Sequence, residues 1–156
     1  MCLVNVGGGN LMIDGREIVY SSERDPNKLP WGDLEIDIVL EATGAFASYE
    51  KSKVHLEAGA KRVVVSAPIK DDPKEAGVSG ATVLMAVNEN LLPESEITSN
   101  ASCTTNAVSP LVDILDETIG IEKALLNTIH AYTMTCLLYT SPSPRDRTRS
   151  RMPSSA

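Results

Sequence analysis

Cysteine attacks carbon as the thiolate, so a catalytic thiol has to sit where an anion is favoured. Cys103, in the run Ala101-Ser102-Cys103-Thr104-Thr105-Asn106, directly precedes a predicted helix. At a helix start, free backbone N–H groups and the positive end of the dipole stabilise an anion. The same place suits an oxyanion or a phosphate. Ser102, Thr104 and Thr105 add hydroxyl donors in the same turn. The plainer alternative makes Cys103 a small buried hydrophobe and Ser102 a helix cap. His130 lies 27 positions downstream, at the end of a predicted strand. Beside Cys103, an imidazole would stabilise the thiolate and exchange a proton with substrate. The alternative for His130 is a half-buried structural histidine. His55, the other histidine, is expected on a helix surface. A Cys/His pair on an α/β sheet fits a thiol protease, an acyltransferase or an aldehyde dehydrogenase.

The elements that must position these residues alternate between strand and helix. Glu17 to Tyr20 is a short β-rich run after an Asp14-Gly15 turn signal. Ile36–Ala42, Arg62–Ser66 and Ala81–Val87 are nearly continuous apolar runs, the pattern of parallel strands buried on both faces. Ser48 to Gly59 reads as a helix with apolar positions Val54, Leu56 and Ala58. Ile97–Asn100 is another short strand. Thr104 to Thr118 reads as a helix lined by Ala107, Leu111, Ile114 and Leu115, with Gly120 just past its end. Ala124–Tyr132 reads as the first strand of a new layer. This order predicts an α/β fold with an incomplete doubly wound parallel sheet, followed by the first strand of an α+β domain.

The chain has 156 residues, room for one domain or one domain and a piece of another. Its net charge of -7 argues against nucleic acid as a main partner. No apolar run reaches the length of a membrane span, and no signal peptide is read at the start. Cysteines 2, 103 and 136 form no disulfide framework and no metal-ligand spacing, so no metal is expected and a reducing, cytoplasmic setting is. Residues 136–156 are rich in Pro, Ser and Arg and are expected to be a disordered basic tail. The tail holds four arginines and one aspartate, so the remainder carries ten basic and twenty acidic residues, or -10. A genuine basic tail would suit a nucleic-acid arm or an anionic surface. Cys136 to Asp146, however, resembles the translation of a transposase sequencing adapter in all eleven residues. The tail is therefore expected to be non-native.

Longer blocks carry a family resemblance. Ser99-Asn100-Ala101-Ser102-Cys103-Thr104-Thr105-Asn106, followed by His130-Ala131-Tyr132-Thr133, is similar to the phosphorylating glyceraldehyde-3-phosphate dehydrogenases. So are Glu23-Arg24-Asp25-Pro26 with Leu29-Pro30-Trp31, Glu41-Ala42-Thr43-Gly44-Ala45-Phe46, and Ala58 through Pro68. The likeness runs from about Leu11 to Thr135. The resemblance implies that Cys103 forms a hemithioacetal with the aldehyde and that His130 takes the hydroxyl proton as hydride leaves. Phosphate then releases the thioester as an acyl phosphate. Ser102 and Thr104 would bind that phosphate, and Thr133 would contact the substrate phosphate. Arg24, Thr43, Gly44, Ser66 and Ala67 would contact NAD, in keeping with ligands at the carboxyl ends of parallel strands. A homotetramer is implied for the full-length protein.

Several departures qualify the resemblance. Gly7-Gly8-Gly9 is not a G-x-G-x-x-G element, follows no convincing strand and opens no helix. The acidic residue that reads the adenine ribose is not found, so NADP stays open beside NAD. Cys136 stands where the family has glutamine, and Ala107 replaces a frequent second cysteine that the mechanism does not need. The expected organisation is a partial dinucleotide-binding domain over 1–103, the start of a catalytic domain over 104–135, and the tail. Such a chain is expected to bind NAD poorly and to turn over no substrate. The alternatives are a dehydrogenase of a longer phosphorylated aldose, such as erythrose 4-phosphate, and a non-catalytic NAD-fold binding module.

Overall fold

The computed structural model describes residues 4–7 and 10–130. Two compact units are distinguished, residues 1–120 and residues 121–156. Each is described by itself.

The first unit opens with an antiparallel sheet of β1 (Val4–Gly7), β2 (Asn10–Ile13) and β3 (Arg16–Ile18), in that order. The Asp14-Gly15 signal makes the β2–β3 turn, pairing Ile13 with Arg16. The strand ends at Ile18, short of the expected Tyr20. A strand does precede the triple glycine, which corrects the sequence reading. It pairs antiparallel with β2, so it does not feed a phosphate-binding loop into a helix.

The second sheet is parallel and positions the chemistry. Its strands are β4 (Ile38–Glu41), β5 (Arg62–Val65), β6 (Gly80–Thr82) and β7 (Ile97–Ser99), in the spatial order β4-β5-β7-β6. Helix α1 (Tyr49–Glu57) connects β4 to β5. Ser48 caps it by accepting the Lys51 N–H at 3.1 Å, and the Asp71 carboxylate accepts the Tyr49 and Glu50 N–H groups at 3.1 and 3.2 Å. Three of the four open donors of this helix are thereby satisfied.

The core is Tyr49, Val63, Val65 and Ile97, with Leu56, Ile69, Ala76 and Val78 packed against it. The buried stripe of α1 is Tyr49, Ser52 and His55, spaced by three residues, rather than the expected Val54, Leu56 and Ala58. His55 is 3% exposed, not a surface residue. Its neighbours explain this: it bonds Glu41 and Trp31 and packs edge-on against Phe46.

Burial of β4 on both faces is not found. Val39 and Glu41 point inward, while Ile38 and Leu40 are 60% and 66% exposed. The helix that packs on this sheet, α1, covers one face of it. The expected strand Ala81–Val87 also stops at Thr82. There the Asn88 side chain accepts the Leu84 N–H at 2.7 Å and donates to the Thr82 carbonyl at 3.0 Å. The Asn88 side chain thus takes groups that a longer ladder would need.

Helix α2 (Cys103–Ile119) closes the first unit. Gly120 ends it, donating its N–H to the Asp116 carbonyl at 3.0 Å. The apolar stripe expected on this helix exists as a pattern but is not fully covered, since Leu111 and Ile114 are more than half exposed and Leu115 is 38% exposed. In the second unit, residues 124–130 form no strand. A strand needs a ladder partner, and among the described residues none pairs with this segment. Residues 131–156, and with them Ala131, Tyr132, Thr133 and the expected tail, lie outside the described residues. No helix among the described residues is long and apolar enough to cross a membrane.

Candidate active site

The carboxyl ends of β4, β5 and β7 lie in register: Glu41 is level with Val65, and Val65 with Ser99. The residues that follow each strand therefore share one sheet edge. Cross-bonds tie them. The Ser66 N–H donates to the Glu41 carbonyl at 2.9 Å, and the Asn100 N–H to the Val65 carbonyl at 2.9 Å. The Ser99 hydroxyl donates to the Ala67 carbonyl at 2.8 Å. Thr43, Gly44, Ser66, Ala67 and the turn into α2 are thus brought to one edge, where parallel sheets bind ligands.

Gly44 holds φ +76, and a side chain there would project into open space. This is a backbone suited to close approach by a ligand. Among the described residues, no glycine-rich turn leads from a strand into a helix. Among the described residues, this edge provides no pyrophosphate cradle.

Cys103 is the first residue of α2, one position further into the helix than expected. Ser102 is the cap. Its hydroxyl accepts the Thr105 N–H at 3.1 Å and bonds the Thr105 hydroxyl at 2.8 Å. The preceding Ala101 is buried at φ +56, a left-handed conformation that costs a residue with a Cβ about 1 kcal/mol. Asn106 clamps this strained turn, donating to the Asn100 and Ser102 carbonyls at 2.7 and 2.9 Å. The Cys103 thiol is exposed, with its Sγ 4.0 Å from the Thr104 hydroxyl. Chemically, this is an accessible sulfur at the positive end of a 17-residue helix.

Arg24 lies in an exposed turn. Its N–H donates to Glu23 at 2.7 Å, and no described bond links its side chain to the sheet edge. His130 is exposed and belongs to the second unit. Thr133 is not among the described residues.

Two features escaped the sequence. Asn106 stands in the quoted block, but its clamp depends on the turn's shape. The second is a chain of hydrogen bonds from Trp31 through the buried His55 and Glu41 to Thr43. The Trp31 indole N–H donates to His55 Nδ1 at 3.2 Å. His55 Nε2 lies 3.1 Å from Glu41 Oε2. Glu41 Oε1 accepts the Thr43 N–H at 2.7 Å and also the Thr43 hydroxyl. Burial pushes the Glu41 carboxyl upward, but the two Thr43 donors and His55 outweigh it. The group titrates below the usual carboxylate range. Only a sparse sequence signal exists: a glutamate closing an apolar strand just before Thr-Gly.

Two family models match this chain. The glyceraldehyde 3-phosphate dehydrogenase NAD binding domain matches residues 2–49, and the C-terminal domain of the same enzyme matches residues 102–156. Glyceraldehyde-3-phosphate dehydrogenase from Thermotoga maritima is 46% identical over 125 residues, 80% of this chain and 35% of that protein. The Kitasatospora aureofaciens enzyme is 45% identical over 150 residues, covering 95% of this chain and 43% of its own length. Glyceraldehyde-3-phosphate dehydrogenase B of Aspergillus oryzae is 38% identical over 143 residues, with 92% and 40% covered. The chain thus spans about two fifths of the length of the curated relatives it matches. With models of both of its domains matched, the second of them spanning Cys103, the chain belongs to the glyceraldehyde-3-phosphate dehydrogenase family.

Proposed function

We propose that this chain carries the nucleophile and part of the cofactor edge of a phosphorylating aldehyde dehydrogenase acting on glyceraldehyde 3-phosphate. The observation that carries the proposal is Cys103 at the first position of α2, capped by Ser102 and set at the carboxyl edge of a parallel sheet. The Cys103 thiolate attacks the aldehyde carbon, forming a C–S bond and leaving a hemithioacetal oxygen. His130 takes the proton from that hydroxyl, which lets the carbonyl reform as the carbon is oxidised to a thioester. NAD, when bound, supplies the two-electron acceptor for the hydride. Inorganic phosphate then attacks the thioester, and the C–S bond breaks to return the thiolate and release 1,3-bisphosphoglycerate. The Cys103 turn holds the developing oxyanion, and Ser102 and Thr104 hold the phosphate. Thr133 holds the substrate phosphate, while Thr43, Gly44, Ser66, Ala67 and Arg24 contact the cofactor.

This role belongs to central carbon metabolism in the cytoplasm, in a homotetramer, with no nucleic acid or membrane as partner. Residues 1–103 are assigned to the cofactor domain and 104–135 to the start of the catalytic domain. Residues 136–156 are assigned as non-native sequence on their adapter-like reading, although the C-terminal-domain match runs through them. The 156-residue polypeptide by itself is expected to form no NADH, because among its described residues no glycine-rich turn cradles a pyrophosphate.

The last step run backwards tests the nucleophile alone. Cys103 should attack an acyl phosphate, forming a thioester as phosphate leaves. Mass spectrometry of the folded chain treated with acetyl phosphate should locate the acyl group on Cys103, and urea should abolish the selectivity. Acylation spread equally over Cys2, Cys103 and Cys136, or unchanged in urea, overturns the assignment.

A further inference from the structure

The Trp31–His55–Glu41–Thr43 chain, buried at His55 and Glu41, draws on three elements. Trp31 comes from the loop before β4, His55 from α1, and Glu41 and Thr43 from the end of β4. Its donors and acceptors have a fixed order. An indole N–H only donates, so His55 Nδ1 must accept and the ring is the Nε2–H tautomer. Nε2–H then donates to Glu41 Oε2. The other Glu41 oxygen receives the N–H and hydroxyl of Thr43, and the Thr43 oxygen accepts the Ala45 N–H at 3.1 Å. Donation therefore converges on one carboxylate from both sides.

For stability alone this arrangement is a poor choice. Glu41 is 4% exposed, and an ion taken out of water usually does no better than a well-packed apolar residue. What the carboxylate gives that an apolar side chain does not is direction. It fixes the Thr43 N–H and hydroxyl, and through them the backbone that enters Gly44 at φ +76. His55 in turn fixes the carboxylate's rotation, and its ring is held by Trp31 and Phe46 at centroid distances of 6.3 and 5.8 Å.

We propose that Glu41, His55 and Trp31 are positioning residues, a relay that holds the Thr43–Gly44 turn in its cofactor-binding shape. The cofactor part of this claim rests on the assignment of Thr43 and Gly44 to NAD contact. The relay touches neither substrate nor cofactor and acts only through Thr43.

Amide hydrogen exchange and NAD titration by NMR, on the full 156-residue chain, test the two parts separately. In His55→Phe, which keeps a ring but no polar atom, the Thr43 amide should exchange about tenfold faster, as expected when the carboxylate it donates to is no longer held in place. The Val63 and Val65 amides of β5 should keep their rates. His55→Gln offers an acceptor to Trp31 and a donor to Glu41 and should restore the Thr43 rate. Trp31→Phe removes one donor at the outer end and should shift Thr43 in the same direction by less. NAD should move the Thr43 and Gly44 resonances of the unaltered chain, with affinity about fivefold weaker in His55→Phe and recovered in His55→Gln. Equal Thr43 exchange in the unaltered chain and His55→Phe overturns the relay. So does a parallel acceleration at Val63 and Val65, which marks general loosening. NAD that leaves Thr43 and Gly44 unmoved overturns the cofactor part, and the exchange data then show whether the turn is held all the same.

Discussion

Gly44 and Gly59 both adopt positive φ, +76 and +105, yet a methyl group should affect them very differently. At Gly44 an added Cβ meets nothing within 4 Å. Gly44→Ala therefore carries only backbone strain, about 1 kcal/mol. At Gly59 the Cβ would lie 2.6 Å from both Cα and N of Gly32. These are backbone atoms that cannot rotate away. The Gly32 N–H donates to the Ala58 carbonyl at 3.1 Å, and the adjoining turn is closed by the Ile36 N–H on the Trp31 carbonyl at 2.9 Å. Relief requires moving that turn. The loss is about 1 kcal/mol for the Gly32–Ala58 bond and about 1–3 kcal/mol for overpacking. With the strain of positive φ, Gly59→Ala should lose about 3–5 kcal/mol, a large part of a typical domain's stability. Urea unfolding followed by the fluorescence of Trp31, the sole tryptophan, measures both variants. Trp31 adjoins Gly32, so its signal reports the displaced turn directly. Equal losses in the two variants, or a Gly59→Ala loss below about 1 kcal/mol, would refute the steric reasoning.

Two further outcomes follow from the caps and the buried charge. Ser102→Ala removes the acceptor for the Thr105 N–H and should lower stability by about 1 kcal/mol. It should also slow iodoacetamide labelling of Cys103, with Ser102→Asp restoring the stability but not the labelling, because its carboxylate disfavours the neighbouring thiolate, while an unchanged urea midpoint would count against the cap. Glu41 titrates below its ordinary value in the folded chain, so its contribution is complete above the unfolded value near 4.5 and is lost as pH falls through the folded one. The stability gap between the unaltered chain and Glu41→Gln should therefore narrow below about pH 4.5 in urea titrations, and a constant gap would contradict the sign.

Local chemistry made part of this molecule legible from its sequence. Apolar runs ending in Thr-Gly and Ser-Ala marked β4 and β5, and a serine before Cys-Thr-Thr marked the start of α2. Non-local contacts hid the rest. His55 reads as a surface residue because its partners are 14 and 24 positions away, and only the fold brings Glu41 and Trp31 to it. The apolar runs at 36–42, 62–66 and 81–87 suggest burial on both faces, but a pattern shows what a face could bury and not whether a covering element is present, as Ile38 and Leu40 show. The run at 81–87 failed as a strand for a local reason, the Asn88 side chain, which propensity alone does not weigh. Residues 124–130 have strand composition and no partner, and β structure is a property of pairs. Of the candidate site, the Cys103 turn was legible, whereas the Asn106 clamp and the relay beneath Thr43 were not.

The uncovered Ile38 and Leu40 on β4 and the stripe of Leu111, Ile114 and Ile119 on α2 have a consequence for handling the molecule. Exposed apolar surface of this kind favours self-association. At neutral pH a net charge of -7 holds molecules apart. That repulsion fades toward the isoelectric point near 4.8, and the Glu41 carboxylate, held below its ordinary value, protonates on further acidification. Colloidal protection and internal order thus decline over neighbouring pH ranges. Acidification should precipitate the chain as it loosens it, so its acid limit is governed by a rate of aggregation rather than by a reversible midpoint.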